Sequence, residues 1–148
     1  MTVRRCNAAE ISDAWAIVEE YCDAIGVVER EDRAKFTKAY FGDDSGVWLA
    51  RADDDGVGCI ALRRLNSEAG EVKRLYVKPA WRGRRIAHHL LDALHNFARA
   101  RGYQALYLDS KDDLETAIHF YRLRGYEDCA RYNDNPQATV FLRRPVVC

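Results

Sequence analysis

Long apolar runs are missing from this chain, whose longest uninterrupted apolar stretch is five residues, at positions 14–18. A helix that crosses a bilayer needs about 20 such residues, so we expect no membrane partner. The opening residues, MTVRRCN, also lack the apolar stretch of a secretory signal. These absences favour a soluble protein of the cytoplasm.

Net charge is absent as well, because 23 Lys and Arg balance 23 Asp and Glu. A global attraction to nucleic acid is therefore not expected. The distribution is uneven, however. Positions 72–91 hold no acid, and their basic residues are Lys73, Arg74, Lys78, Arg82, Arg84 and Arg85. Such a block in a neutral chain indicates one local anion site, although a solvated cationic face would explain it equally well.

Paired cysteines are also missing: the chain has five cysteines and no Cys-x-x-Cys spacing. Neither a disulfide framework nor a metal site is therefore predicted, and a reduced compartment fits best. Cys22 and Cys59 lie in apolar segments and are expected in the core, whereas Cys148 is expected to be exposed. A nucleophilic cysteine is the less favoured alternative.

The length of 148 residues, with 48% apolar and 31% charged residues, fits one globular domain over 1–148. There is no internal repeat and no low-complexity linker. Hydrophobic periodicity predicts helices at about 9–24, 31–40, 84–101 and 112–124. Strands are predicted at about 2–6, 47–50, 57–63, 71–77, 105–108, 126–129 and 138–143. This mixed order predicts an α/β sheet with helices on both faces.

The third predicted helix has the clearest stripe, which includes Leu90, Leu91 and Leu94. His88 and His95 fall on the opposite, outward face and receive no role. On the short strand that follows, Tyr107 and Asp109 alternate with leucines. Because successive side chains of a strand point to opposite faces, we expect the leucines in the core and these two polar side chains at a cleft.

The segment before that helix, Arg82-Gly83-Arg84-Arg85-Ile86-Ala87, has the composition of an anion site. A helix N-terminus offers unpaired N–H groups and a partial positive charge, and Gly83 allows a ligand to approach the backbone. A phosphate or pyrophosphate is the natural guest. The glycine spacings of NTPases and dinucleotide-binding proteins are absent. The alternative is a helix start with solvated arginines.

Two motifs in the second half of the chain resemble those of the GNAT superfamily of N-acetyltransferases. The first is EVKRLYVKP followed by RGRRIA, at residues 71–79 and 82–87. The second is AIHFYRLRGY, at residues 117–126, and the tail YNDNP at 132–136 is similar to that of one bacterial branch. The resemblance implies a mixed, mostly antiparallel sheet of about six to seven strands flanked by about four helices.

The resemblance further implies that acetyl-CoA is the acyl donor, with no metal. The pantetheine arm would pair with the backbone of Leu75, Tyr76 and Val77. The pyrophosphate would lie on the loop and helix start, for which the candidate residues are Arg82, Gly83, Arg84, Arg85, Ile86 and Ala87. Lys78 is an alternative to Arg82 for outer phosphate contacts.

Two departures from the family pattern concern the affinity for this cofactor rather than its identity. Arg85 stands where the family usually has a glycine, so its Cβ would keep phosphate away unless the guanidinium compensates. Leu114 stands where the family often has an asparagine that contacts the cofactor.

Catalytic residues are also implied by the resemblance. Glu71 matches the family's general base, Tyr121 matches its general acid, and a backbone N–H near Val77 would stabilise the oxyanion. Each has a structural alternative, because Tyr121 lies on an apolar stripe and Glu71 could be surface charge. His119 could titrate near neutrality, but a lone helix histidine is more often a surface residue.

The expected reaction is transfer of an acetyl group to a primary amine, which could be a small amine, an amino acid or a protein amine. The alternative is a non-catalytic module that binds or senses acyl-CoA. An arginine-loop contact to nucleic acid is disfavoured by the zero net charge. An exposed last strand would offer an edge for a homodimer. The acids that could attract a cationic amine are Glu19, Glu20, Glu29 and Glu31.

Overall fold

A seven-stranded sheet in the order β1-β2-β3-β4-β5-β7-β6 forms the centre of the computed structural model. The model describes residues 1–28 and 30–147, so the expectations for Glu29 and Cys148 lie outside the described residues. The strands are β1 Thr2–Arg5, β2 Gly46–Ala52, β3 Asp55–Arg64, β4 Ala69–Val77, β5 Ala105–Ser110, β6 Glu127–Asp128 and β7 Val140–Pro145. The helices are α1 Ile11–Ile25, α2 Arg33–Tyr40, α3 Ile86–Ala100 and α4 Glu115–Leu123.

Neighbouring strands are antiparallel throughout, except that β4 and β5 are parallel. The predicted mixed, mostly antiparallel sheet of six to seven strands with four helices is confirmed. The last strand is not an edge, because β7 lies between β5 and β6. The edge that the sequence offered for a homodimer at that strand is therefore covered by β6 over Glu127–Asp128.

Helices pack on both faces of the sheet, as predicted. On one face α3 packs its leucines against β2, β3 and β5, with Leu90, Leu91 and Leu94 fully buried. On the other face α1 and α2 cover the opposite side of β2 and β3, where Cys22 and Cys59 are buried. The expectation that these two cysteines belong to the core is confirmed. Within the described residues no helix is both long and apolar enough to cross a membrane.

Local chemistry sets the ends of the helices. Asn7 and Glu10 form a capping box in the short 3₁₀ turn that leads into α1, and Gly26 ends α1 with φ 71°. The predicted start of α3 near position 84 is two residues early. Arg85 has φ 62°, a left-handed conformation that cannot continue a helix, so α3 begins at Ile86.

The parallel pairing between β4 and β5 is short, and it leaves part of β4 without a neighbouring strand on one side. The two strands pair only at Ala69, Gly70 and Glu71, opposite residues 105–107. Beyond that point β5 stays paired with β7, whereas β4 continues beside β3 alone. The strands therefore diverge and leave one edge of β4 without a strand partner among the described residues.

The prediction that His95 faces outward is wrong. Its side chain is 6% exposed, and it lies between Tyr126 and Arg144. The segments around β6 and β7 close over this side of α3, a long-range contact that helical period cannot reveal. Since a guanidinium only donates, Nδ1 accepts from Arg144 at 3.0 Å, and Nε2–H donates to the Tyr126 hydroxyl at 2.8 Å. Burial first, and Arg144 second, lower the pKa of His95 to about 4.

This buried histidine predicts a pH dependence of stability. The unfolded chain binds the proton near pH 6.5 and the folded one only near pH 4, so acid favours unfolding between these values. The free energy of unfolding attributable to His95 should fall by up to about 3 kcal/mol across that window. Denaturant melts of the wild type and His95→Gln at several pH values measure it. His89→Gln, at an exposed position of the same helix, is the control. Equal pH slopes in all three proteins would contradict the prediction.

Candidate active site

The open edge of β4 presents backbone hydrogen-bonding groups to the space between the diverging strands. The Lys78 N–H donates to the Val57 carbonyl at 2.9 Å, so these two residues form a hydrogen-bonded pair of the antiparallel ladder. The next pair, Val77 with Gly58, is therefore not hydrogen-bonded, and the N–H and carbonyl of Val77 point away from β3. The Val77 carbonyl accepts from Arg82 Nε at 2.9 Å. The Val77 N–H faces the same open edge and is available to a ligand.

A β-bulge interrupts β4 just before this edge. The register between β3 and β4 shifts between Cys59 and Ala61, and Arg74 opposite the shift has φ 61°. A left-handed conformation costs a non-glycine residue about 1–2 kcal/mol. The Cys59 thiol donates to the Arg74 carbonyl at 3.1 Å. The bulge bends β4 away from β5 and places the arginine side chain on the face covered by α1 and α2.

The start of α3 provides a second set of backbone donors. Its first helical hydrogen bond runs from the His89 N–H to the Arg85 carbonyl at 3.2 Å. The N–H groups of Ile86, Ala87 and His88 therefore have no acceptor in the part of the chain that the structure describes. Gly83 has φ 81°, and an added Cβ there would meet nothing within 4 Å. These unpaired donors and the helix dipole have the chemistry that an anion requires, so the anion site stays a prediction for this turn.

The arginines around this loop differ in their surroundings. Arg82 is held by the Val77 carbonyl, and the Arg84 guanidinium lies over the Trp81 ring at 4.7 Å from its centroid. Arg85 adopts the left-handed backbone that the usual glycine would adopt. The loop thus keeps its glycine-like shape despite the substitution, at a conformational cost of about 1–2 kcal/mol. Leu114, the other departure, precedes α4 and makes no side-chain capping bond.

Tyr121 projects from α4 into the core cluster that contains the leucines of α3. Its side chain is 6% exposed and packs against Phe120 and Tyr126, with centroids at 5.5 and 5.3 Å. Its hydroxyl has no hydrogen-bond partner among the described residues. Burial raises the pKa of this phenol well above its usual value, and Tyr126, Tyr21 and Cys59 raise it further.

Glu71, the last β4 residue to pair with β5, is fully buried. One carboxylate oxygen accepts from Arg63 Nε at 2.7 Å, and the other from the Tyr132 hydroxyl at 2.6 Å and Asn133 Nδ2 at 3.1 Å. Burial acts to raise the pKa of Glu71, but Lys73, Tyr132 and Arg63 outweigh it and lower the pKa below the usual value. The carboxylate is therefore ionised at neutral pH and largely occupied by protein donors.

The tail loop connects Glu71 to the end of β5. Asn133 donates to Asp109 at 2.6 Å as well as to Glu71, and Asn135 donates to Asp109 at 3.4 Å. Asp109 therefore joins this polar network, and its place at a cleft stays a prediction. Tyr107 packs on Tyr132 at 5.1 Å and accepts from Arg143.

Two residues at the site were not singled out by sequence reasoning. Tyr21 of α1 packs against Tyr76 at 6.0 Å and lies beneath Arg74, at 5.9 Å from its guanidinium. Burial raises the pKa of Tyr21 to about 12, while the charge of Arg74 lowers it and that of Asp109 raises it. Arg74 was noted only as part of the basic block. Two features of the sequence could have identified them: Tyr21 is a tyrosine within the apolar stripe of α1, and Arg74 is an arginine at a strand position where a buried residue is expected.

The acids proposed to attract an amine are partly engaged with other groups. Glu20 accepts from the Tyr76 hydroxyl at 2.7 Å and pairs with Lys78 at 3.6 Å. Glu31 lies 3.5 Å from Arg74. Glu19 is exposed on α1, and His119 is exposed on α4. No group of three or more potential metal ligands occurs among the described residues.

The network around Glu71 predicts a specific loss of stability. Tyr132→Phe removes a donor from a buried, ionised carboxylate, and should lower the free energy of unfolding by about 1.5–3 kcal/mol. The matched control is Tyr107→Phe, because the neighbouring Tyr107 hydroxyl contacts only an exposed arginine. It should change that free energy by about 0.5 kcal/mol or less. Urea melts at pH 7 compare the two, and equal losses would show that Glu71 does not depend on Tyr132.

Comparison with known sequences identifies the family. A sequence model of the acetyltransferase (GNAT) family matches residues 14–126, which is more than half of the chain. An N-acetyltransferase of Schizosaccharomyces pombe, described as uncharacterised, is 27% identical over 142 residues, covering 91% of this chain and 87% of that protein.

Solved structures agree with this relationship. A GNAT-family acetyltransferase from Staphylococcus aureus Mu50 matches 99% of both chains with a TM-score of 0.84 and 18% identity. The PaiA N-acetyltransferase from Thermoplasma acidophilum, solved in complex with coenzyme A, matches 97% of this chain and 98% of its own with a TM-score of 0.75 and 16% identity. Identities this low show a shared fold. Together with the sequence match over residues 14–126, they establish that the chain belongs to the GNAT family of acetyltransferases.

Proposed function

We propose that the protein transfers an acetyl group from acetyl-CoA to a primary amine by direct attack in a ternary complex. The observation that carries this proposal is the unpaired edge of β4 beside the unpaired amides that begin α3. A ligand with a peptide-like arm and a diphosphate would satisfy both sets of donors at once. Acetyl-CoA has both parts, and the PaiA N-acetyltransferase of the same fold was solved with coenzyme A.

In this proposal the diphosphate lies on the amides that open α3, and the pantetheine lies along β4. Gly83 leaves open space for a phosphate, and Arg82, fixed on the Val77 carbonyl, contributes positive charge beside it. The pantetheine amides pair with the open edge of the segment Leu75, Tyr76 and Val77, where Val77 presents the outward backbone groups and Tyr76 pairs with Cys59 of β3. The further loop residues in contact with the diphosphate are Arg84, Arg85, Ile86 and Ala87.

The reaction forms a C–N bond and breaks the C–S bond of the thioester. The amine must first lose a proton, since an alkylamine near pKa ~10.4 is protonated at neutral pH. Negative charge develops on the carbonyl oxygen during attack, and the Val77 N–H on the open edge stabilises it. The departing thiolate then takes up a proton from the Tyr121 hydroxyl, and the second proton that the nitrogen loses as it becomes an amide returns to the Tyr121 phenolate through solvent. Because the pKa of Tyr121 is raised, its phenol is neutral and able to donate.

Glu71 remains the proposed general base. It would receive the proton of the amine through its hydrogen-bond partners rather than by direct contact with the amine. Its carboxylate is ionised, but three donors already occupy its two oxygens. A proton leaving the amine would therefore reach it through the Tyr132 hydroxyl or a bound water. The neighbouring Asp109, which accepts from Asn133 in the same network, adds negative charge that favours the approach of an ammonium group.

The role of Tyr121 predicts a loss of rate without a loss of binding. Tyr121→Phe should lower kcat by about 10²-fold or more, as expected for removal of a general acid. Its affinity for coenzyme A should stay within about twofold (~0.4 kcal/mol) of the wild type. Release of free thiol from acetyl-CoA with a panel of amines measures kcat. Tyr126→Phe is the matched control, because it removes the hydroxyl of the neighbouring tyrosine, which contacts His95 and has no proposed catalytic role.

The same experiment separates the enzyme from the alternative of a non-catalytic acyl-CoA sensor. An unchanged rate in Tyr121→Phe would remove Tyr121 from the mechanism. Binding of acetyl-CoA without turnover of any amine would favour the sensor. The sequence feature that motivates this alternative is that Arg85 and Leu114 differ from the residues the family usually has at these positions.

The diphosphate site predicts a variant that binds poorly but folds well. Ala87→Asp places a carboxylate in the first turn of α3, where the helix dipole favours it, but where it repels a diphosphate. Two charges about 4 Å apart interact by about 4 kcal/mol near a protein surface, so affinity for coenzyme A should fall by more than about 100-fold. Calorimetric titration measures this affinity.

The matched control is Ala34→Asp, an exposed alanine at the same position in the first turn of α2. Both variants should melt at or above the wild-type temperature, and only Ala87→Asp should lose binding. Wild-type affinity in Ala87→Asp would place the diphosphate elsewhere and contradict the proposed site.

A further inference from the structure

Arg74 is a buried cation whose hydrogen bonds are incomplete. Its side chain is 12% exposed, and its Nε is a buried atom with no partner among the described residues. Its one ionic contact with the described residues runs from Nη2 to Glu31 and is long, at 3.5 Å. A buried donor is normally paired, so an unpaired guanidinium edge is a position where a ligand is expected.

The backbone holds this guanidinium in place. Arg74 has φ 61° at the bulge of β4, a backbone conformation that residues other than glycine seldom adopt. Strain of this kind persists where the surrounding structure requires it, often at ligand sites. The guanidinium also lies over the ring of Tyr21, 5.9 Å from its centroid. The arginine is therefore positioned before any ligand arrives.

We propose that Arg74 binds a carboxylate of the acceptor, so that the amine substrate is an amino acid or a similar carboxylate-bearing amine. The Nε edge of a guanidinium matches the two oxygens of a carboxylate in a bidentate pair. A phosphate dianion is disfavoured, because within residues 1–28 and 30–147 Arg74 is the only arginine with a buried unpaired donor, and Glu31 lies beside it. The proposal rests on the transfer reaction proposed above and names its substrate class.

The surroundings of Arg74 place such an acceptor beside the reacting groups. Tyr21, which lies beneath Arg74, packs edge-on against Tyr76 with ring centroids 6.0 Å apart, one residue before Val77 on the open edge of β4. The negative charge of Asp109 acts to raise the pKa of the same tyrosine. A carboxylate at Arg74 would direct the ammonium group of the same molecule toward Asp109. The amine would then lie beside the open edge of β4, where the proposed transfer takes place.

Two independent measurements test this subsite. The first is acetyl transfer to amino acids and to their carboxamides, which differ only in the carboxylate. The wild type should prefer an acid over its amide by more than tenfold in kcat/KM, mainly through KM, and Arg74→Gln should reduce this ratio to near one. Arg74→Lys keeps the charge but loses the bidentate fork, and should show an intermediate ratio. Arg101→Gln, at the end of α3, should keep the wild-type ratio.

The second measurement is the shift in melting temperature of the protein without coenzyme A when the same amino acids, the amides or inorganic phosphate are added. Acids should raise the melting temperature of the wild type and not that of Arg74→Gln. Equal responses to acids and amides, a response to phosphate alone, or no response to any acid would overturn the proposal. So would an Arg74→Gln variant that melts lower but keeps the preference for acids, because Arg74 would then be structural.

These outcomes differ from those that would end the transferase account. A wild type that neither binds coenzyme A nor transfers acetyl would contradict the proposed function, while the melting shifts would still report on Arg74. Normal transfer to amides and acids alike would leave the function standing and remove the carboxylate subsite.

Discussion

The divergence of β4 from β5 is the constraint on which the rest of the site depends. The two strands pair over three residues, ending at Glu71, and β4 then runs beside β3 alone. Backbone groups in a sheet need partners, so this edge stays open only if a loop, water or a ligand satisfies it. The bulge at Arg74 and the pairing of β5 with β7 keep the opening in place. The fold thus provides a slot for an extended ligand before any side chain contributes chemistry.

The two faces of the sheet bring different chemistry to that slot. From the face covered by α3 and α4 come the helix amides and the phenol of Tyr121, which suit an anionic cofactor and its leaving group. From the face covered by α1 and α2 come Tyr21, Arg74 and the network of Glu71 with Asp109, which suit a charged acceptor. The zero net charge of the chain does not reveal this difference between the two faces, because the basic residues of positions 72–91 and the acids come together only in the folded protein.

Much of this could be predicted from the sequence, where the determinants are local. Gly83 and the basic loop indicated the anion site, and the spacing of leucines in α3 indicated its buried face. The start of α3 was placed too early, since nothing in the sequence shows that Arg85 takes a left-handed conformation. His95 was placed outward, because its burial depends on Tyr126 and Arg144, which are distant in the chain. Tyr21 and Arg74 were missed as site residues for the same reason: their roles depend on a strand opening that periodicity does not describe.

The central claim is that backbone amides, rather than side chains, provide the binding surface for the acyl donor. The most direct test is an NMR titration of the ¹⁵N-labelled protein with coenzyme A, which reports on each amide separately. The account predicts that the largest shifts occur at residues 84–88 and at Val77, with small changes on α2 and β1. Shifts confined to arginine-bearing surfaces elsewhere, or none at saturating coenzyme A, would contradict it.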